Sequence, residues 1–357
     1  VQWYDNEGRI LYWNPASEAM YGWESKDALG KTLDQLIRTP SEQAEFMRII
    51  AEIPKTGKPY GPYEAQIHHR DGTTSWVLAT TFSMPMHNDQ IGFVCMDVDI
   101  TERKQAEEKI QQQLHRLNAL HSIDMAINSS TNIQVTLDVL LNQTLSQLNV
   151  DAADVLVFNQ PAQSLELTAQ RGFLSDITLQ SFQRLGDSFA GQVVNERRTI
   201  HISNLMEAGK NLKQIRLLAN DRFTEYFGTP LIAKGQLKGV LEVYRHLPLD
   251  PDDDWLNFLE VLAGQAAIAV DNSQLLQGMQ RSNMEIVLAY DATIEGWSHA
   301  MDLRDKETEG HTQRVTTMTL NLARAMGIPE ADILHIQRGG LLHDIGKLGV
   351  PDGILFK

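Results

Sequence analysis

Two short stretches carry residue types at spacings that could do metal chemistry: Leu303-Arg304-Asp305-Lys306-Glu307-Thr308-Glu309-Gly310-His311 and Leu341-Leu342-His343-Asp344-Ile345-Gly346-Lys347-Leu348-Gly349-Val350-Pro351. If both are helical, Glu307 and His311 lie four apart on one face and could share a cation. His343 and Asp344 are adjacent, so on a helix their side chains diverge by about a quarter turn. A cation near a helix end can still take an imidazole nitrogen from one and a carboxylate oxygen from the other, and Asp344 could bridge two cations. Lys347, four after His343, falls on the same helical face, where its ammonium could hold a phosphate oxygen. A phosphate group is anionic and repels nucleophiles, and two close cations neutralise its oxygens and acidify a water between them. A lone His-Asp pair says little. The Glu/His pair upstream, the lysine, and apolar Leu341, Leu342, Ile345 and Leu348 setting the dyad at a core edge give the motif its context.

What must position these residues is bounded by composition. The chain has 357 residues, 42% hydrophobic and 22% charged, with 31 Lys and Arg against 46 Asp and Glu for a net charge of −15. Those values exclude collagen, coiled-coil rods and wholly disordered chains, and the length predicts two to three folded units. The single cysteine, Cys95, allows no intramolecular disulfide, cysteine zinc site or iron–sulfur cluster, which fits a reducing compartment and predicts a cytoplasmic location. The longest apolar run, Val261 to Val270, is broken by Gly264 and Gln265 and falls short of a membrane span. The acidic balance argues against nucleic-acid or anionic-membrane partners. The chain begins at Val1 and ends at Lys357 just past Pro351, and both ends read as cut.

From Val1 to Ile100 the pattern is short strands around one or two helices. Tyr4 to Ile10 reads as strand, tight turn, strand, with Gly8 in the turn, and Asn14 caps a helix that starts at Pro15. A hairpin at His69-Arg70-Asp71-Gly72-Thr73 leads to the strand Ser75 to Thr81, and a turn at Met84 to Asn88 precedes the strand Ile91 to Val98. Gly8-Arg9-Ile10-Leu11-Tyr12-Trp13-Asn14, Tyr21-Gly22-Trp23, Arg70-Asp71-Gly72 and Asp97-Val98-Asp99-Ile100-Thr101-Glu102-Arg103 together resemble a PAS sensor domain with its C-terminal extension. That resemblance implies a dimerising or small-ligand module. The flavin-attaching cysteine motif is absent. His68, His69 and His87 fall at hairpin positions and are expected to face solvent rather than bind haem.

Ile110, Leu114, Leu117, Leu120, Ile123 and Ile127 recur at helical spacing and predict a connecting helix, Thr101 to Asn128, polar enough at its start to bridge domains or pair with a twin. Val135 to Leu148 reads as an amphipathic helix. Strands follow at Ala153 to Phe158, Leu165 to Gln170 and Thr199 to Ile202, with a helix entered near Gly186 to Asn195 and a hairpin from Gly228 to Tyr244 turning at Lys234-Gly235-Gln236. A closing helix starts near Asp252 to Asp254. Helix, mixed sheet, helix is the expected order, and with Thr229-Pro230-Leu231 leading into Gly239-Val240-Leu241 it resembles a GAF domain over Leu120 to Leu275. The bilin-attaching cysteine of phytochrome-type members has no counterpart, and a noncovalent ligand such as a cyclic nucleotide or none at all are both open. Beyond it, Leu276, Met279, Asn283, Ile286, Tyr290, Thr293 and Trp297 alternate steps of three and four, the spacing of a coiled-coil seam and hence of a parallel homodimer, with a stripe packed on its own domain as the other reading.

The segment Tyr290 to Lys357, with Asp352-Gly353-Ile354-Leu355 after the dyad, resembles the first part of an HD-GYP domain, the cyclic di-GMP phosphodiesterase branch of the HD hydrolases. The resemblance implies His311, His343 and Asp344 as metal ligands, Glu307 as a ligand where a third ion is bound, Lys347 at the scissile phosphate, two or three iron or manganese ions, and pGpG or GMP as product. The His-His-Glu and Gly-Tyr-Pro segments would lie beyond Lys357, so the chain alone is expected to be inactive. The expected architecture is α+β and multidomain: a PAS domain at 1–103, a linker helix at 104–124, a GAF domain at 125–272, a coiled-coil signalling helix at 273–297 and the start of an all-α HD-type domain at 298–357. Two further readings stay open, a catalytically silent sensory or dimerising fragment and an HD phosphohydrolase of another nucleotide.

Overall fold

The computed structural model describes residues 1–86, 90–174, 182–208, 221–305 and 310–355. It divides into two compact units, Val1–Ala119 and Leu120–Lys357.

In the first unit, strands β1 (Gln2–Tyr4) and β2 (Ile10–Trp13) precede helices α1 (Pro15–Tyr21), α2 (Ser25–Ala28) and α3 (Pro40–Thr56), and β3 (Tyr60–His68), β4 (Thr74–Pro85) and β5 (Ile91–Asp99) complete an antiparallel sheet of order β2-β1-β5-β4-β3. Local chemistry sets the helix ends. The Asn14 carboxamide accepts the Ser17 N–H at 2.9 Å with Pro15 in the first helical position. The third helix, which the sequence pattern did not resolve, starts in a reciprocal Thr39/Glu42 capping box and turns Phe46, Ile49, Ile50 and Ile53 into the core. His68 and His69 are half-buried rather than solvent-facing, because the hairpin folds back and brings the His69 ring into a hydrogen bond with Ser75 Oγ. His87 lies outside the described residues.

Helix α4 (Thr101–Ser129) leads to the second unit, which contains α5 (Ile133–Leu148), β6 (Ala152–Asn159), β7 (Ser164–Arg171), β8 (Phe182–Arg184), α6 (Phe189–Glu196), β9 (Ile200–Ser203), α7 (Leu205–Ala208), β10 (Glu225–Ala233) and β11 (Gln236–Arg245). The sheet order is β8-β7-β6-β11-β10-β9, and every pairing is antiparallel, not mixed as expected. The reason lies in the hairpins: β6 and β7 are joined by a short turn, and β10 and β11 by Lys234-Gly235, both at positive φ, the backbone that matches strand twist in a two-residue connection. One face of this sheet packs Val155, Phe227, Leu241 and Val243 against Leu137, Leu140 and Leu141 of α5 and Leu259, Leu262, Ala266 and Val270 of the closing helix.

That closing helix, α8, runs unbroken from Asp253 to Asp305, about 80 Å of rigid rod. Asp252 starts it by accepting the Trp255 N–H at 2.8 Å. The residues of the seven-residue rhythm, Met279, Asn283, Ile286, Tyr290, Thr293 and Trp297, are exposed in the single chain. One residue further on, Ile294, Ser298 and Met301 are buried, so α8 offers two faces roughly 100° apart. Helices α9 (His311–Ala325) and α10 (Glu330–Leu341), a 3-10 turn at Ile345–Gly349 and α11 (Asp352–Leu355) complete the fold.

Candidate functional site

Gly310 adopts φ +77°, a left-handed conformation in which a helix does not continue, and α9 begins afresh at His311. Glu307, expected to share a helical face with His311, lies outside the described residues.

A second departure concerns the dyad. Helix α10 ends at Leu341, so His343 and Asp344 sit in the turn that enters the 3-10 segment rather than along an α-helix. With about three residues per turn, positions three apart eclipse one another. Lys347 accordingly stacks on Asp344, Nζ to Oδ2 2.8 Å, instead of sharing a face with His343. The core-edge setting is also looser than expected: Leu341 is buried, but Ile345 and Leu348 are 37% and 40% exposed.

Within this turn the groups converge closely. The His343 ring bonds through Nδ1 to the Gly340 carbonyl at 2.8 Å, which assigns the proton to Nδ1. Its Nε2 faces Asp344 Oδ2 at 3.3 Å. The Asp344 carboxyl is held below the usual aspartate range, chiefly by the hydrogen bond from Lys347, against a smaller desolvation effect and aided by the charges of His343, Lys347 and His311. That last influence brings His311 into the electrostatic neighbourhood of Asp344. An imidazole nitrogen and a carboxylate oxygen, with the other ring nitrogen anchored on a carbonyl, are donors that suit a divalent cation. His343 and Asp344 thus fit as two members of a ligand set, although no three His, Cys, Asp or Glu side chains close around one point among the described residues.

Two contacts that pattern reading missed fix both halves of the site to α8. Arg338 of α10 grips Asp291 Oδ1 through Nε at 2.9 Å and Nη2 at 2.8 Å, and lies over the Tyr290 ring. Thr312, beside His311, donates its hydroxyl to Asp302. Nothing in the spacing of Asp291, Asp302, Thr312 and Arg338 marks them, because each pairing joins two different helices.

Comparison with known proteins places three domain types on this frame. Residues 2–105 match the PAS fold, 130–271 the GAF domain and 308–357 the HD domain. The chain carries PAS, GAF and HD domains in that order. Its relatives include the 3'3'-cGAMP-specific phosphodiesterase 3 of Vibrio cholerae, 36% identical over 92 residues that make up 25% of this chain and 20% of the relative. Another is the cyclic di-GMP phosphodiesterase of Thermotoga maritima, 46% identical over 56 residues, 16% of this chain and 15% of the relative. The chain thus spans a fifth or less of the length of these two relatives. Among solved structures, the GAF domain of a phosphoenolpyruvate-protein phosphotransferase from Coxiella burnetii aligns with 46% of this chain and 98% of its own, at 18% identity and a TM-score of 0.41. No described helix of the PAS–GAF–HD chain is long and apolar enough to cross a membrane.

Proposed function

We propose that the HD segment is part of the catalytic centre of a cyclic di-GMP phosphodiesterase of the HD-GYP type, governed by the PAS and GAF domains through α4 and α8. The observation that carries this is the turn at His343-Asp344, where an imidazole anchored through Nδ1 turns Nε2 toward an ionised carboxylate that a lysine neutralises. In this reading His311, His343 and Asp344, with Glu307, hold two or three divalent ions, iron or manganese. The metal would supply positive charge against the phosphodiester oxygens and a water acidified toward neutrality. The chain's own residues do the rest. The Gly340 carbonyl fixes the His343 ring, Asp344 supplies a ready anion, and the Lys347 ammonium beside it would bind an oxygen of the scissile phosphate.

The same proposal makes the exposed stripe from Leu276 to Trp297 a parallel dimer seam, with polar Asn283 setting register, and places the protein in the cytoplasm. Cysteine placed at Met279 should then crosslink two subunits, and a chain that stays monomeric at micromolar concentration would contradict it. A second substrate has support in the names of two relatives, the cGAMP-specific phosphodiesterases 3 and 2 of Vibrio cholerae. The test is hydrolysis by the complete protein, loaded with manganese or iron, of cyclic di-GMP and 3'3'-cGAMP side by side. Preferential conversion of cyclic di-GMP to pGpG or GMP is expected. Conversion of 3'3'-cGAMP alone would move the substrate, and turnover of neither would remove the assignment.

A further inference from the structure

Two acids of α8 stand behind the two halves of the candidate site. Asp291 and Asp302 lie about three turns apart along one line of the helix, with buried Ser298 between them. Each holds a residue next to a candidate ligand. Asp291 takes the Arg338 guanidinium in paired bonds of 2.9 and 2.8 Å, and Arg338 stands two residues before Gly340, whose carbonyl anchors His343 Nδ1 at 2.8 Å. Asp302 accepts the hydroxyl of Thr312, the residue after His311. Helix α8 also packs along the 3-10 turn at Ile345–Gly349 itself. The two ligand-bearing segments leave each other no slack: a Cβ at Gly340 would lie 2.9 Å from Thr316 Oγ1, a hydroxyl already donated to the Thr312 carbonyl at 2.8 Å. The chain before His343 and the chain after His311 therefore press on one another and hang on one face of a single rod.

The form of the Asp291 contact matters. A planar guanidinium held by two of its nitrogens is fixed in direction as well as distance, so α10 is keyed to the rotation of α8 about its axis and not only to its nearness. The same guanidinium lies over the ring of Tyr290, 4.9 Å from the centroid, and Tyr290 belongs to the exposed stripe of α8. Arg338 thus touches both faces of the rod. We propose that Asp291 and Asp302 are positioning residues for the metal site, Asp291 setting the His343 ring through Arg338 and the Gly340 carbonyl and Asp302 setting His311 through Thr312. Because α8 is continuous from the GAF core to Asp305, a rotation of the helix reaches both imidazoles at once. This inference rests on the reading of His311 and His343 as metal ligands.

The experiment follows the histidine rings of the full chain, labelled with nitrogen-15, first without metal and then with Mn2+ added. Without metal, His343 should show the signature of the Nδ1–H tautomer, and in Asp291→Ala and Arg338→Met it should pass to a mixture of tautomers while His201 and His246 of the GAF domain keep their signals. Broadening of His343 by Mn2+ should then need about tenfold more manganese in both variants, the scale of losing a group that orients a ligand. Thr312→Val should shift the response of His311 more than that of His343. Exchanging the charges, Asp291→Arg with Arg338→Asp, should recover most of the His343 tautomer and its manganese response, which a general loosening of the fold would not. An unchanged tautomer and manganese response in both single variants, or no recovery in the exchanged pair, would overturn the proposal and leave the ligand reading standing. Manganese that never reaches His343 in the parent chain would overturn the ligand reading instead, and the tautomer would then decide by itself whether α8 positions the ring.

Discussion

Asp154 of the GAF sheet and Asp344 of the HD turn are the same side chain under opposite constraints. Asp154 is 5% exposed and stands directly across from Glu242 on the neighbouring strand, while Asp344 lies near the surface with an ammonium 2.8 Å away. Tyr226 and Tyr244 donate their hydroxyls to the two oxygens of Glu242, at 2.7 and 3.1 Å, which favours Glu242 as the anion of the pair. Asp154 keeps the proton: burial raises its carboxyl well above the usual range, and the charge and hydrogen bond of Glu242 raise it further, while its Oδ1 has no hydrogen-bond partner. Asp344 is lowered instead. The comparison separates a carboxyl kept neutral by its fold from one kept ionised and within reach of ligands, and only the second is equipped for metal chemistry.

The largest effect that could break this contrast is on catalysis. His343→Ala and Asp344→Ala in the complete protein should each lower cyclic dinucleotide hydrolysis by ~100-fold or more, beyond what loss of an outer-sphere partner causes. Asp154→Asn should leave turnover per folded molecule unchanged. Circular dichroism should show all three variants folded. Wild-type activity in either HD variant would end the assignment.

Next in size is a pH effect on stability. The folded-state value of Asp154 lies above its unfolded value, so its contribution is whole below the usual aspartate range near about pH 4 and is lost as pH rises toward the folded value. Asp154→Asn, neutral at every pH, should therefore gain on the wild type by up to about 1 kcal/mol per pH unit between pH 5 and the folded value. Urea unfolding of the GAF transition at several pH values measures this. A constant difference between the two proteins would mean that Asp154 is ionised in the fold.

Smallest is the stability effect of Lys347→Met. The pair it breaks joins side chains that are 33% and 27% exposed, so unfolding free energy should change by less than about 1 kcal/mol while turnover falls. A stability loss well above that would recast Lys347 as a structural residue.

Much of the fold was legible where one residue type has one backbone use. Gly8 at φ +78° turns β1 into β2, Asn14 and Pro15 open α1, and Lys234-Gly235 closes the β10–β11 hairpin, each as its residues predict. The residue types of the candidate site are read directly from the sequence, and its local geometry is not. Over the few residues from His343 to Lys347 an α-helix and a 3-10 turn share one apolar pattern, so the stacking of Lys347 on Asp344 could not be told from a shared face with His343. Gly310 is a signal visible in the sequence, since a glycine inside a helical pattern marks a place where the helix can end. Asp154 and Arg338 were not visible at all: in a strand an aspartate alternates like any outward polar residue, and whether an arginine finds a carboxylate is decided by chain segments far away in sequence.

The most direct test of the metal reading uses this chain and the magnetism of manganese. With the imidazoles labelled with nitrogen-15, Mn2+ titrated in at low occupancy should broaden the His311 and His343 ring signals first and together, ahead of His201 and His246 of the GAF domain. Asp344→Asn should shift that broadening to higher manganese concentration. If His311 and His343 stay as sharp as the GAF histidines, the turn at His343-Asp344 is not a cation site, and the account given for the HD segment is wrong.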